Sequence, residues 1–111
     1  MDSEYSVVFV TAPTGDDGRA IARTLVREKL AACVNILPGI RSIYTWEGEI
    51  REDDEVLLII KTRAKNFEDL SALVKEVHPY DVPEVIAMSL IAGAPDYLNW
   101  IDQVTQAKQV K

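Results

Sequence analysis

The 111-residue chain is 48% hydrophobic and 27% charged, and its formal net charge is −6 at pH 7. This composition excludes a disordered chain and predicts one globular domain over residues 1–111. The acidic balance argues against nucleic acid as a partner, because phosphate binding needs a basic face, and it is compatible with attracting cations.

The sequence carries no pattern for membrane insertion or secretion. No stretch without a charged residue, such as 85–95, is long enough to span a bilayer. Acidic residues stand at the start of the chain, where a signal peptide would place an apolar segment. The single cysteine permits no internal disulfide. These features favour the cytoplasm and predict no membrane partner.

The first third of the chain predicts a strand, a helix and a second strand. Residues 7–12 are apolar and β-branched, which is typical of a buried strand. Residues 19–30 repeat apolar side chains at helical spacing, and the candidate caps for that helix are Thr14, Asp16 and Asp17. Residues 31–36 predict the second strand.

A hairpin arm follows the second strand. Pro38 and Gly39 interrupt the strand, and apolar residues resume at Ile40, which predicts a bulge or kink. The tip lies at residues 47–49, where Gly48 can supply the positive φ of a tight turn.

The second half repeats the strand–helix–strand pattern. Residues 55–62 predict a strand apolar on both faces, and residues 67–77 form the clearest helical pattern, with Asn66 as its candidate cap. Residues 85–91 predict the fourth strand, and Asp96 can cap or open a last amphipathic helix.

The predicted fold class is α+β: a ferredoxin-like βαββαβ arrangement with an extended β2–β3 hairpin arm and a C-terminal helix. Two helices are expected on one face of an antiparallel sheet. The other face is too apolar to meet water, so self-association is expected to cover it.

The segment 78–84, HPYDVPE, is the first candidate site. Its two prolines make it stiff, and it contains the only histidine. His78 is either a metal ligand or a packing residue at a helix end. It cannot build a four-coordinate site alone, so carboxylates such as Asp81 or Glu84, or neighbouring copies, would have to add ligands.

Two further residues have open roles. Cys33 is either a small buried hydrophobe or a metal or redox residue. Lys61 follows five apolar residues and is expected to pair with Glu55 or Glu84, or to reach the end of the strand.

Motifs for covalent chemistry are lacking. The sequence contains no Gly-rich phosphate loop, no serine–histidine elbow and no HExxH zinc motif. It also lacks the paired aromatic residues of an RNA-binding sheet. The chain is therefore predicted not to be an enzyme.

Six blocks of the sequence resemble the CutA divalent-cation tolerance proteins, in the family's order and spacing. They cover most of the chain: VFVTAP (8–13), EKLAACVN (28–35), YTWEGEI (44–50), IKT (60–62), HPYDVPE (78–84) and YLNWI (97–101).

The resemblance implies a homotrimer with the architecture of the PII signalling proteins and a role in tolerance of divalent metals. It implies Cu²⁺ or another divalent cation as ligand, and His78, Cys33 and Glu84 are the candidate metal ligands. The copper ligands of the enterobacterial branch are a cysteine and two adjacent histidines. Val10 and Val77 stand at two of these positions, and only His78 matches.

The PII-like architecture implies a second function. Clefts between subunits would hold a small ligand or a segment of a partner, lined by Tyr44, Trp46, Lys61, Tyr80 and Glu84. A structural trimer with an indirect role is a third interpretation.

Overall fold

The computed structural model describes residues 4–106 of the chain. Over this range the element order is β1 (Tyr5–Pro13), α1 (Asp17–Arg27), β2 (Cys33–Trp46), β3 (Glu49–Arg63), α2 (Phe67–Val77), β4 (Val85–Ser89) and α3 (Pro95–Val104). The strands form an antiparallel sheet in the order β2-β3-β1-β4. The predicted α+β ferredoxin-like arrangement is confirmed.

The core lies between one face of the sheet and the helices α1 and α2. Burial alternates along β1, as expected for a strand whose side chains point to opposite faces. The fully buried members of this core are Val8, Val10, Ala12, Leu25, Ala31, Leu58, Ile60, Leu70 and Val74.

Gly18 brings the first turn of α1 close to β3. A Cβ atom at this position would lie 2.9 Å from Cγ2 of Val56. The glycine therefore permits a helix–sheet approach that any larger residue would disturb.

The returning strand of the hairpin arm, β3, is longer than the sequence predicts. β2 and β3 stay paired from Cys33 opposite Lys61 to Trp46 opposite Glu49, with one irregularity between Leu37 and Ile40. The return strand begins at the tip rather than at the predicted residue 55, because backbone pairing continues through its charged part.

The two irregular points of the arm have a backbone cause. Gly39 adopts φ of 83° inside the bulge, as the interrupted pattern predicts. Glu47 and Gly48 adopt φ of 50° and 82° at the tip. Positive φ at both central residues is the signature of the tight turn that suits a twisted hairpin.

The predicted side-chain caps are wrong. Asp16 and Asn66 occupy the N-cap positions of α1 and α2 but make no capping hydrogen bond. Both residues have helical backbone angles, whereas a capping side chain needs an extended backbone. Nδ2 of Asn66 donates instead to Oγ1 of Thr62 at 3.3 Å.

The third helix lies on the sheet face opposite α1 and α2. The hydroxyl of Tyr5 donates to Asp102 at 2.7 Å, and Nε of Arg63 donates to Oγ1 of Thr105 at 3.1 Å. Tyr5 and Arg63 face each other across β1 and β3 at the strand positions that point away from the core.

Much of the rest of this second face is apolar, and part of it is exposed. Its side chains include Leu37, Ile86 and Met88, each about half exposed. Within residues 4–106, no helix is both long enough and apolar enough to cross a membrane.

Candidate functional site

His78 ends α2 and fastens the segment 78–84 to the sheet. The residue is 7% exposed, and its Nδ1 accepts a hydrogen bond from the backbone N–H of Tyr80 at 3.1 Å. Nε2 therefore carries the ring hydrogen and donates it to the carbonyl oxygen of Thr11 at 2.8 Å. Both ring nitrogens are used within the chain, so a metal ion would have to displace one of these bonds.

Tyr80 connects the same segment to β3. Its ring lies 4.7 Å from the ring of His78, and its hydroxyl donates to Oε2 of Glu55 at 2.8 Å. Glu55 is only 5% exposed. Burial, followed by this hydrogen bond, raises the pKa of Tyr80, so the hydroxyl stays a donor at neutral pH.

Glu84 stands just before β4 and lines the same cleft as Glu55. Its pKa is raised, first by partial burial and then by the negative charge of Glu55. A carboxylate charge that disfavours the ionisation of a neighbouring carboxyl group favours a cation beside the two.

The cleft between the outer half of the arm and the segment 78–84 has a volume of about 590 Å³. Tyr44 and Trp46 reach it from β2, and the hydroxyl of Tyr44 donates to the carboxylate of Asp53. The lining residues are Thr11, Ser42, Ile43, Tyr44, Trp46, Arg51, Glu55, Tyr80, Asp81, Val82 and Glu84.

Four of the five residues predicted to line clefts between subunits lie around this cleft of one chain: Tyr44, Trp46, Tyr80 and Glu84. A cleft between subunits stays a prediction. Lys61 lies elsewhere, and its Nζ donates to Oδ1 of Asn35. The expected pairing of Lys61 with Glu55 or Glu84 is wrong. Glu55 and Lys61 are both on β3, where six residues span roughly 20 Å.

Cys33 is also remote from the cleft. Cys33 pairs with Lys61 of β3, whereas the cleft residue Thr11 pairs with Leu57 of the same strand, four residues away. That offset is roughly 13 Å along the strands and about 10 Å across two strand spacings. Its thiol lies by Tyr97, whose pKa is raised by burial first and then by Cys33.

The three candidate metal ligands are therefore not brought together in one chain. Glu84 lines the cleft, His78 lies beneath the segment that forms its wall, and Cys33 stands at the opposite end of β2 from the cleft residues of that strand. In the described part of the chain, no group of three His, Cys, Asp or Glu residues is placed to hold a metal ion. Metal binding by these residues stays a prediction, and a complete ligand set would need donors from another molecule.

Sequence reasoning missed two features of the cleft. Arg51 is the one arginine among the residues that line the cleft. Glu55 accepts the hydrogen bond from the hydroxyl of Tyr80. The sequence signal for Glu55 is that an acidic residue stands at the start of an apolar strand. That signal predicted Lys61 as its partner, not Tyr80.

The comparisons with known proteins agree on one family. The family model described as CutA1 divalent ion tolerance protein matches residues 6–104. The divalent-cation tolerance protein CutA of Thermus thermophilus is 48% identical over 99 residues, which cover 89% of this chain and 96% of that protein. The chloroplastic protein CutA of Arabidopsis thaliana is 51% identical over 100 residues, covering 90% of this chain.

Lengths differ among these relatives. The chain spans 55% of the Arabidopsis protein and 60% of the mouse protein CutA.

The fold agrees with solved structures. The crystal structure of CutA1 from Oryza sativa superposes with a TM-score of 0.91 at 47% identity, covering 96% of this chain and 98% of that one. The Thermus thermophilus structure gives a TM-score of 0.89 at 47% identity and covers 92% and 99%.

The expectation of a purely cytoplasmic location is wrong. The Arabidopsis and rice relatives are named chloroplastic, and a similar structure from Archaeoglobus fulgidus is titled periplasmic. Closely similar domains carry names from different compartments, so the charge pattern and cysteine content of the domain do not encode its location.

Proposed function

The chain belongs to the CutA1 divalent ion tolerance family, and on that premise we propose that it serves tolerance of divalent metal ions, copper among them, by binding these cations weakly. The observation that carries the proposal is the carboxylate pair Glu55 and Glu84 in one cleft. Partial burial and then the charge of Glu55 raise the pKa of Glu84, and a cation bound there would favour its charged form.

Weak binding follows from the chemistry of the cleft. Divalent cations such as Ca²⁺ prefer six or more oxygen ligands, and the cleft offers few carboxylates beside aromatic walls. Arg51 adds a positive charge that opposes a metal ion. Binding rather than catalysis is proposed, because no described lining residue pairs a hydroxyl or thiol nucleophile with a histidine.

We also propose that the working form is a homotrimer. The apolar side chains of Leu37, Ile86 and Met88 support self-association, as do the edge strands β2 and β4, which are open to pairing with another chain. In light scattering, a mass near the 12.4 kDa of one chain at working concentration would contradict assembly.

Titration calorimetry with CuCl₂ and separately with MgCl₂ tests the cation proposal. We expect heat of binding in the wild type and a weaker response in Glu84→Gln. Glu76→Gln, which removes a charge from an exposed position of α2, is the matched control and should behave as the wild type. Absence of binding heat for both salts in the wild type would refute the proposal.

A second candidate function is a PII-like module that holds a small ligand or a partner's segment. The aromatic walls of the cleft favour it, because Tyr44, Trp46 and Tyr80 are unsuited to metals but suited to organic ligands. A metabolite panel followed by thermal shift tests it, since a true ligand raises the melting temperature with concentration. No shift with any compound would count against it.

A further inference from the structure

We propose that the cleft binds a protonated aliphatic amine, with the ammonium group facing Glu55 and Glu84 and the alkyl chain lying against the aromatic wall. The inference rests on the cation binding proposed for the same cleft and adds an organic class of cation to it. Its support comes from the charges of the lining residues, the aromatic rings and the mismatch with a metal ion.

The charges of the cleft select a cation. Glu55, Asp81 and Glu84 contribute three carboxylates, against the single guanidinium of Arg51. Nη2 of Arg51 lies 4.0 Å from Oε1 of Glu49, so a further carboxylate partly neutralises it. An anionic ligand would meet repulsion from each of the three acids.

Glu55 is arranged to accept one more hydrogen bond. It is 5% exposed, and its Oε2 accepts the bond from Tyr80. Within residues 4–106, Oε1 accepts no hydrogen bond, so it can receive one from an ammonium N–H. A charge-assisted bond of this kind is stronger than a bond between neutral groups.

The walls of the cleft suit the remainder of an amine. Tyr44 is 41% exposed, and its ring and the ring of Tyr80 offer apolar surface to the alkyl chain. Both tyrosine hydroxyls are engaged, Tyr44 with Asp53 and Tyr80 with Glu55, so these rings are already ordered. A preordered wall reduces the conformational entropy lost on binding.

The same walls fit a metal ion poorly. Aromatic rings and the aliphatic side chains of Ile43 and Val82 supply no metal ligands, although they cover much of the cleft. An ammonium group needs only a few acceptors, and its alkyl chain gains free energy by leaving water. The donor set therefore favours an organic cation over a hard divalent ion.

Calorimetric titration with n-butylamine at neutral pH tests the inference, on wild-type protein whose mass and circular dichroism are checked first. We expect Glu84→Gln to weaken binding about tenfold, because one charge-assisted hydrogen bond is lost. Tyr44→Leu should weaken it about fivefold through loss of aromatic surface against the alkyl chain. Glu76→Gln is the control and should bind as the wild type does.

The outcomes separate this inference from the proposed function. Absence of butylamine binding while CuCl₂ or MgCl₂ still binds overturns the inference and leaves the metal proposal standing. Absence of binding for both kinds of cation overturns both. Equal binding of the neutral analogue n-butanol, or unchanged butylamine affinity in Glu84→Gln, also overturns the inference. Binding of butylamine but not butanol, weakened in Glu84→Gln, supports it.

Discussion

The hydroxyl of Tyr80 donates a 2.8 Å hydrogen bond to Oε2 of Glu55, a carboxylate that is 5% exposed. The two residues are 25 positions apart, so this bond ties the segment 78–84 to the start of the buried part of β3. The same segment is held from beneath by His78, through the carbonyl oxygen of Thr11. The cleft wall is thus fixed at two points, and each point can be tested.

Tyr80→Phe should lower the free energy of unfolding by about 1–3 kcal/mol, because it leaves a buried carboxylate without its donor. Urea denaturation at neutral pH measures the loss. Tyr44→Phe is the matched control, since it removes the same group from a pair exposed to water, and its loss should be smaller. Equal losses for the two variants would contradict a special role for Tyr80.

Glu84→Gln should flatten the dependence of stability on pH. The pKa of Glu84 is raised above its ordinary value of 4.5, so the folded state holds the proton more tightly than the unfolded state. Wild-type stability contributed by this group therefore falls as pH rises from 4.5 through the raised pKa. The variant lacks this decrease. Its free energy of unfolding should therefore fall less between acid and neutral pH than that of the wild type.

Unfolding free energies measured from about pH 4 to about pH 8 test this expectation. Glu76→Gln again controls for the loss of one charge outside the cleft and should keep the wild-type slope. A wild-type slope in Glu84→Gln would show that Glu55 and partial burial do not disfavour the charged form of Glu84.

Much of the fold follows from periodicity. The helix Phe67–Val77 was predicted with its observed bounds, because its apolar residues recur every three or four positions. The start of β3 was placed at residue 55 instead of Glu49, since the charged residues of the arm show no alternation. Pairing there depends on the opposite strand, which local pattern does not report.

The cleft was predicted only in part. Tyr80 and Glu84 lie in a stiff segment, so their shared location could be inferred from two prolines. Lys61 was misplaced because position along a strand decides which end of the sheet a side chain reaches. The partner of Glu55 could not be inferred, since a contact between distant segments depends on how the loop crosses the sheet.

Gly18→Ala should destabilise the protein by about 1–3 kcal/mol, because the new Cβ atom would press against Val56. The distance to Cγ2 would be only 2.9 Å. Chemical denaturation at equal chain concentration measures the loss. In a Val56→Ala background the same substitution should cost less, since the opposing methyl group is gone. An equal cost in both backgrounds would place the strain elsewhere.

Met88→Asp should weaken the proposed trimer, because it puts a charge on the exposed apolar face of the sheet. Light scattering coupled to size exclusion should then report a smaller mass than for the wild type. Val26→Asp is the control, since Val26 is similarly exposed but lies on α1, on the other side of the sheet. Loss of assembly in both variants, or in neither, would contradict an interface at Met88.

Thr105→Val should loosen the attachment of α3 to the sheet. Oγ1 of Thr105 accepts from Nε of Arg63 at 3.1 Å and donates to the carbonyl oxygen of Ile101 at 2.7 Å. Valine keeps the shape but removes both bonds, so the loss of stability should be about 1–2 kcal/mol. Hydrogen exchange should also quicken at the backbone amide of residue 105, which bonds to Ile101.

Thr24→Val provides the comparison for this prediction. Thr24 also accepts a bond from an arginine, Arg27, but that 3.3 Å contact is exposed on α1. Water can replace the lost hydroxyl there, so the change in stability should be small. The bond between Nη2 of Arg63 and the carbonyl oxygen of Thr105, at 2.7 Å, survives in Thr105→Val. If that bond alone held the helix, exchange in α3 would stay at the wild-type rate, and the hydroxyl would have no anchoring role.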